Sequence, residues 1–248
     1  MDKALIARHF GGAFQTYDNS AVIQRLIAAE LVRLMLLNGF PKNAAIYEVG
    51  AGTGLLTNMI LKTFTPSRLI ANDLCLEAET SLAAISKKIE FVPGDAETLS
   101  VPSGCTTVIS CSAVQWFTDI GNFFNVISQG LPAGGRFAFA TFGPENVKEI
   151  REVFGVGLEY KTLQEHTALL EAAGFVVHHA SETLEHLVLS TVTDLLRHIR
   201  ETGTGGVTSA TFGVAQTRRF CREYTTRHAV EGGVTLTYHP MYFIAEKR

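Results

Sequence analysis

The residues with the clearest chemical potential lie in Ile46-Tyr47-Glu48-Val49-Gly50-Ala51-Gly52-Thr53-Gly54-Leu55-Leu56, where an acidic strand runs into Gly-x-Gly-x-Gly and then into a helix. Glycine belongs where a chain turns sharply and a ligand presses on bare backbone. The helix start beyond it offers unpaired N–H groups. Such a turn is either purely structural or the seat of a nucleotide cofactor. A dinucleotide fingerprint spaces its glycines GxGxxG, bringing a pyrophosphate to the helix terminus. Here the spacing is GxGxG, and Glu48 stands two residues before Gly50. A carboxylate there repels a pyrophosphate and suits a cationic or amino-bearing ligand, although a nicotinamide site stays open at this point. Asp73, in Ile70-Ala71-Asn72-Asp73-Leu74, follows Gly54 by 19 residues. It is placed to accept hydrogen bonds from both hydroxyls of a ribose, though alone it is also an ordinary turn aspartate. Asp95, in Val92-Pro93-Gly94-Asp95-Ala96-Glu97, follows a third strand. Three carboxylates closing three successive strands say more than any one turn.

These positions require a sheet to hold them. Apolar runs at 44–49, 69–72, 89–92, 107–111 and 136–141 read as strands. Helical patterns at 55–62, 76–87 and 121–130 lie between them, the alternation expected of βαβ units and a mostly parallel sheet. Before them, residues 21–38 carry apolar side chains at helical spacing, with Asn19 or Ser20 placed to cap and Gly39 to stop. After residue 143 the spacing predicts helices over 145–154 and 162–173, the latter capped by Thr162. It then predicts one long strand over 175–189, two helical segments within 191–231 around the Gly-Thr-Gly-Gly break at 203–206, and a last strand over 233–245. Pro240 should interrupt or edge that last strand. The expectation is one α/β domain over 1–248, with a helical cap at 1–40, a cofactor-binding core at 41–142, and helical insertions at 143–161 and 190–232.

The chain has 248 residues, 46% apolar and 18% charged, which excludes disorder and small disulfide-stapled scaffolds. A net charge of −3 argues against broad nucleic-acid binding. The four cysteines stand without CxxC spacing, so neither a zinc site nor a redox pair is expected. Residues 1–10 hold no signal-peptide core, and no apolar run reaches the ~18–20 residues of a membrane span. A cytoplasmic protein without membrane contact is the expectation, its oligomeric state open and a monomer slightly favoured.

Together the acidic strand, the glycine loop, Asp73 and Asp95 resemble the class I S-adenosylmethionine-dependent methyltransferases. The resemblance implies a doubly wound, Rossmann-like seven-stranded α/β sheet with its last strand antiparallel, and S-adenosyl-L-methionine as cofactor, leaving as S-adenosyl-L-homocysteine. It implies that Glu48 with Gly50 and Gly52 serves the amino-acid tail, and that Asp73 with Leu74 serves the ribose. Asp95 would accept from the adenine amino group while the Ala96 N–H reaches a ring nitrogen. Backbone groups at Cys111 and Ser112 would hold the methionine part, and Tyr17 its carboxylate. Gln115 and Trp116 are candidates for the acceptor floor. Leu131-Pro132-Ala133-Gly134-Gly135-Arg136 resembles the family's turn before the fifth strand, with Arg136 bracing the sheet.

The run Thr141-Phe142-Gly143-Pro144-Glu145-Asn146-Val147-Lys148-Glu149-Ile150 and the run Arg197-His198-Ile199-Arg200-Glu201-Thr202-Gly203 are more selective. With Tyr17-Asp18, Gln24 and Ser112–Trp116 they resemble the malonyl-acyl-carrier-protein O-methyltransferases of biotin synthesis over essentially the whole chain. Tyr238-His239-Pro240 departs from the apolar run usual there. The resemblance implies methylation of the free carboxylate of a malonyl thioester on acyl carrier protein, or on CoA. No catalytic base is expected, because a carboxylate is already ionised at neutral pH. Arg197, Arg200, Lys148 and Arg151 are the expected cations for the malonyl carboxylate or the acidic carrier. Two rival readings are a methyltransferase of a free small carboxylic acid or other metabolite, and a cofactor-binding scaffold without turnover.

Overall fold

The computed structural model describes residues 3–14, 16–155, 157–203 and 213–248. Three helices come first: α1 (Lys3–Ala13), α2 (Tyr17–Ser20) and α3 (Val22–Leu37). The alternation follows, as β1 (Ala45–Val49), α4 (Leu55–Thr63), β2 (Arg68–Asp73), α5 (Glu77–Ile85), β3 (Glu90–Pro93), β4 (Thr107–Cys111), α6 (Ile120–Gly130) and β5 (Arg136–Phe142). The remainder is α7 (Lys148–Phe154), α8 (Leu163–Ala172), β6 (Phe175–Glu182), β7 (Glu185–Leu189), α9 (Val192–Glu201), α10 (Val214–His228), β8 (Ala229–Val230), β9 (Gly233–Tyr238) and β10 (Pro240–Lys247).

Seven strands form one sheet in the order β3-β2-β1-β4-β5-β10-β6, parallel from β3 through β5, with β10 antiparallel to both its neighbours. This is the doubly wound sheet with its last strand reversed. Burial explains the near-continuous apolar strands, since helices cover both faces. On one face Ile27, Leu31, Phe64, Phe142, Tyr224 and Ile244 pack beneath α3, α4 and α10. On the other, Phe123, Phe124, Phe137, Phe139 and Phe243 form an aromatic layer under α6 and α8. Phe139 stacks on Phe137 at 4.8 Å and on Phe243 of β10 at 4.7 Å, so the layer crosses the β5–β10 seam. Arg136 braces the same seam by an ion pair with Glu246 at 3.0 Å.

Several helix starts follow their side chains. Thr162 and Glu165 close a capping box on α8, Thr191 accepts from the Asp194 N–H on α9, and Asp119 accepts from the Asn122 N–H on α6. The cap expected of Asn19 or Ser20 on α3 is absent; Ala21 holds that position, and Ser20 Oγ instead donates to Glu201 of α9 at 2.6 Å.

The two long strands expected over 175–189 and 233–245 each divide. β6 and β10 stay in the main sheet, while β7, β9 and β8 form a separate antiparallel sheet in the order β7-β9-β8. Pro240 supplies the physical reason. It has no N–H to continue a ladder, so the β9 pairing ends before it and β10 starts on it. Its carbonyl accepts from the Thr183 N–H at 3.1 Å, pinning the partner strand where it bends in turn. The 203–206 break lies outside the described residues from 204 onward.

Candidate functional site

The strand order reverses between β1 and β4, the place where open α/β sheets hold ligands beyond their strand ends. A cavity enclosing about 1060 Å³ of empty space, mouth included, opens there. The glycine loop forms one wall. The Gly50 and Ala51 N–H groups both donate to the Asn72 carbonyl at 2.9 Å, tying the loop to β2. Gly50, Gly52 and Gly54 all have φ between +55° and +85°, where a side chain is strained. A Cβ on Gly50 would meet the Ala113 Cβ at 2.3 Å, and one on Gly54 the Ile85 side chain at 2.3 Å. A Cβ on Gly52 meets nothing within 4 Å although Gly52 lines the cavity. Two of the glycines therefore serve packing, and the third keeps space open beside bare backbone.

Asp73 ends β2 at the cavity wall. Its Oδ2 accepts from the Gly52 N–H at 2.7 Å and its Oδ1 from the Cys75 N–H at 2.8 Å. Burial pushes its pKa up, against the pull of these backbone donors. Each oxygen keeps a further lone pair for a hydroxyl donor. Asn72 beside it donates from its amide to the carbonyls of Val92 and Gly94, fastening the turn that carries Asp95. Asp95, Leu74, Ala96, Cys111, Ser112, Trp116 and Tyr17 all line the cavity. Ser112 has a φ of +56°, a strained value for a residue with a Cβ, and its carbonyl accepts from Gln115 Nε2 at 2.6 Å. Cys111 is a thiol that burial holds up at about 12, so it is no nucleophile.

Glu48 is placed differently from expectation. Its neighbours on β1 alternate between the sheet faces, and Glu48 turns to the face under α4, where the Thr57 hydroxyl donates to Oε2 at 2.6 Å. It lies behind the cavity wall and is 1% exposed. Burial first, and the nearby Asp73 charge with it, raise its pKa to about 8, against the Thr57 hydrogen bond. Only Asp73 and Asp95 share the rim.

The expected acceptor cations also stand apart. None of Lys148, Arg151, Arg197 and Arg200 lines the cavity. Lys148 pairs with Glu145 at 2.9 Å, and Arg197 with Asp194 at 3.0 Å. The Arg151 guanidinium donates to the carbonyls of Pro144 and Asn146 and covers the Tyr160 ring, so it fastens the loop before α7. Arg200 is exposed on α9. Short i,i+3 pairings satisfy Lys148 and Arg197, and local carbonyls satisfy Arg151, before any ligand does. Gln115 is engaged with Ser112 and Thr141 behind the wall.

Of the residues at the cavity, sequence reading passed over Lys3 and Ile6, whereas Phe10 and Phe14 belong to the N-terminal segment that the family resemblance sets over the cofactor. Lys3, Ile6, Phe10 and Phe14 all reach the cavity from the N-terminal segment, and their spacing of three and four residues was the available signal. Lys3 Nζ binds Asp95 Oδ1 at 2.9 Å and also Glu97, over the Phe117 ring. Burial opposes ionisation of Glu97, yet Lys3 and the N–H groups of Thr118 and Asp119 hold its carboxyl below the usual range. Asp18 accepts from the Thr53 hydroxyl at 2.7 Å, a second tie between the N-terminal segment and the glycine loop. Phe10 meets Trp116 edge-on at 5.5 Å. Trp116 Nε1, buried, has no hydrogen-bond partner among the described residues.

Comparison with known proteins finds methyltransferases. The methyltransferase domain family matches residues 47–139. The malonyl-[acyl-carrier protein] O-methyltransferase of Bacteroides thetaiotaomicron is 36% identical over 100% of this chain and 99% of its own length. That of Bacteroides fragilis is 38% identical over 99% of this chain, which spans about half of that relative's length (51%). The crystal structure of an S-adenosylmethionine-dependent methyltransferase from Mesorhizobium loti shares the fold at a TM-score of 0.55 and 16% identity, covering 87% of this chain and 95% of that one. No helix among the described residues is long and apolar enough to cross a membrane.

Proposed function

Because the chain belongs to the malonyl-[acyl-carrier protein] O-methyltransferase family, we propose that it methylates the free carboxylate of a malonyl thioester on acyl carrier protein, with S-adenosylmethionine as methyl donor, in cytoplasmic biotin synthesis. The observation that carries this reading is the cavity at the sheet's switch point, where Asp73 and Asp95 share a rim with a glycine kept bare toward open space. When bound, S-adenosylmethionine supplies a methyl group on a cationic sulfur. Asp73 is suited to its ribose, Asp95 with the Ala96 N–H to its adenine, and Tyr17 with the backbone at Gly50, Gly52, Cys111 and Ser112 to its amino-acid tail. Glu48, largely protonated behind that wall in the free fold, would be drawn towards ionisation by a cation in front of it.

The acceptor asks little acid–base chemistry. A carboxylate of pKa ~4 is ionised at neutral pH, so no side chain needs to remove a proton. What remains is alignment and the exclusion of water, because opposite charges that neutralise each other react faster in a dry site. Ile6, Phe10, Leu55, Leu56 and Phe117 supply that dryness. With the four expected cations engaged elsewhere or outside the cavity, the unpartnered Trp116 N–H is the donor best suited to the acceptor's carboxylate or thioester carbonyl.

The test compares methyl transfer to malonyl-acyl carrier protein, malonyl-CoA and free dicarboxylic acids. The carrier-bound thioester should give the highest kcat/KM, and the gene should restore biotin-free growth to a strain lacking malonyl methylation. A preference for free acids would refute the assignment.

A further inference from the structure

Among the described residues, one cavity-lining residue besides Trp116 holds a buried polar atom without a hydrogen-bond partner: Gln24, whose Oε1 is unsatisfied. Gln24 sits in the first turn of α3, is 4% exposed, and has no place in the chemistry described so far. Its amide hydrogen-bonds the Tyr238 hydroxyl, which meets His198 Nε2 of α9 at 2.7 Å. Burial pushes the His198 imidazole below its usual range, so the ring is neutral at physiological pH and Nε2 can accept a hydrogen bond from the phenol. The phenol oxygen then accepts from Gln24 Nε2, and Oε1 is left as an acceptor in want of a donor. A buried acceptor without a donor is costly, and such costs persist where a ligand supplies the missing partner.

The chemistry of the two reactants selects the partner. Gln24 adjoins Tyr238, whose electrostatic neighbours extend to Tyr17 and through it to Cys111. That end of the cavity differs from the one where Lys3 meets Asp95 and Phe117. A malonyl head group brings only acceptors, a carboxylate and a thioester carbonyl. The methyl donor brings a group rich in N–H at its tail, the α-ammonium. We infer that Gln24 is a specificity-determining residue that receives the donor's α-ammonium at Oε1, with Tyr238 and His198 fixing which way round its amide stands. The inference rests on the methyltransferase reading above.

Titration calorimetry on the full chain tests it with two ligands: S-adenosylhomocysteine, and the same molecule with hydrogen in place of the α-amino group. Gln24→Leu should weaken S-adenosylhomocysteine by about tenfold or more while the deaminated ligand binds wild type and variant alike. Gln24→Glu keeps an acceptor at the position and should retain S-adenosylhomocysteine binding. Thermal melts of the free variants report their folding, and Gln24→Met replaces Gln24→Leu if the latter fails to fold. An equal loss for both ligands, or no loss for S-adenosylhomocysteine, overturns the role. If wild type binds neither ligand, the methyltransferase reading falls and takes the inference with it; if only the variants fail to discriminate, the inference falls alone.

Discussion

Glu48 and Asp73 end adjacent strands, yet the chain gives them opposite surroundings. Asp73 receives two backbone N–H groups at the cavity wall, whereas Glu48 has only the hydroxyl and N–H of Thr57 and a wholly buried site. A carboxyl at about 8 in the folded chain, against ~4.5 when unfolded, makes folding take up a proton between those values. Stability from this group is therefore fully present below about pH 4.5 and lost as pH rises through 8. Glu48→Gln keeps an acceptor for Thr57 and removes the titration. Its melting temperature should match wild type near pH 4.5 and exceed it at pH 8, by on the order of 10 °C. Parallel curves for the two proteins across that range would show that Glu48 is ionised in the free fold. At this scale the sequence was legible where backbone geometry dictates residue type, as at Gly50, Gly52 and Gly54. At Gln24 it offered only the family resemblance and no role, because a glutamine on an apolar helix face carries no local signature of the cavity it meets.

α1 lies in the helical cap expected at 1–40, and it roofs the cavity. Its face is set by the spacing of Lys3, Ile6 and Phe10, and its end is fastened by the Lys3 contacts to Asp95 and Glu97. Those pairs are about a quarter exposed on the lysine side, so their loss should cost folding ~1 kcal/mol or less. Lys3→Ala should instead show itself as a several-fold faster release of S-adenosylhomocysteine in stopped-flow fluorescence, with the melting temperature nearly unchanged. An unaltered release rate would mean that the apolar face alone holds the helix down. The βαβ half was legible because alternating strand and helix patterns are local. The second sheet was not, since apolar runs at 175–189 and 233–245 have the same periodicity whether they stay in one sheet or bend into two. Only the pairing of Thr183 with Pro240 decides it.

Across the whole molecule a net charge of −3 conceals an uneven distribution. Residues 197–227 hold six arginines against two glutamates. Arg218 and Arg222 are exposed on α10, whose opposite face buries Phe220 and Tyr224. An acidic carrier protein approaching from that side would be steered by them. Reversing both charges should lower kcat/KM for malonyl-acyl carrier protein more than for malonyl-CoA, and the deficit should shrink as salt rises. Equal effects on both acceptors at every salt concentration would remove α10 from the docking face. The sheet carries a different lesson. β10 lies between β5 and β6, and β6 has no other neighbour in its sheet. On the ribosome, every other strand of that sheet emerges before the one that joins β6 to the rest. Until residues 240–247 leave the exit tunnel, β5 and β6 each present a raw edge, and chaperone demand should concentrate in the interval before they emerge.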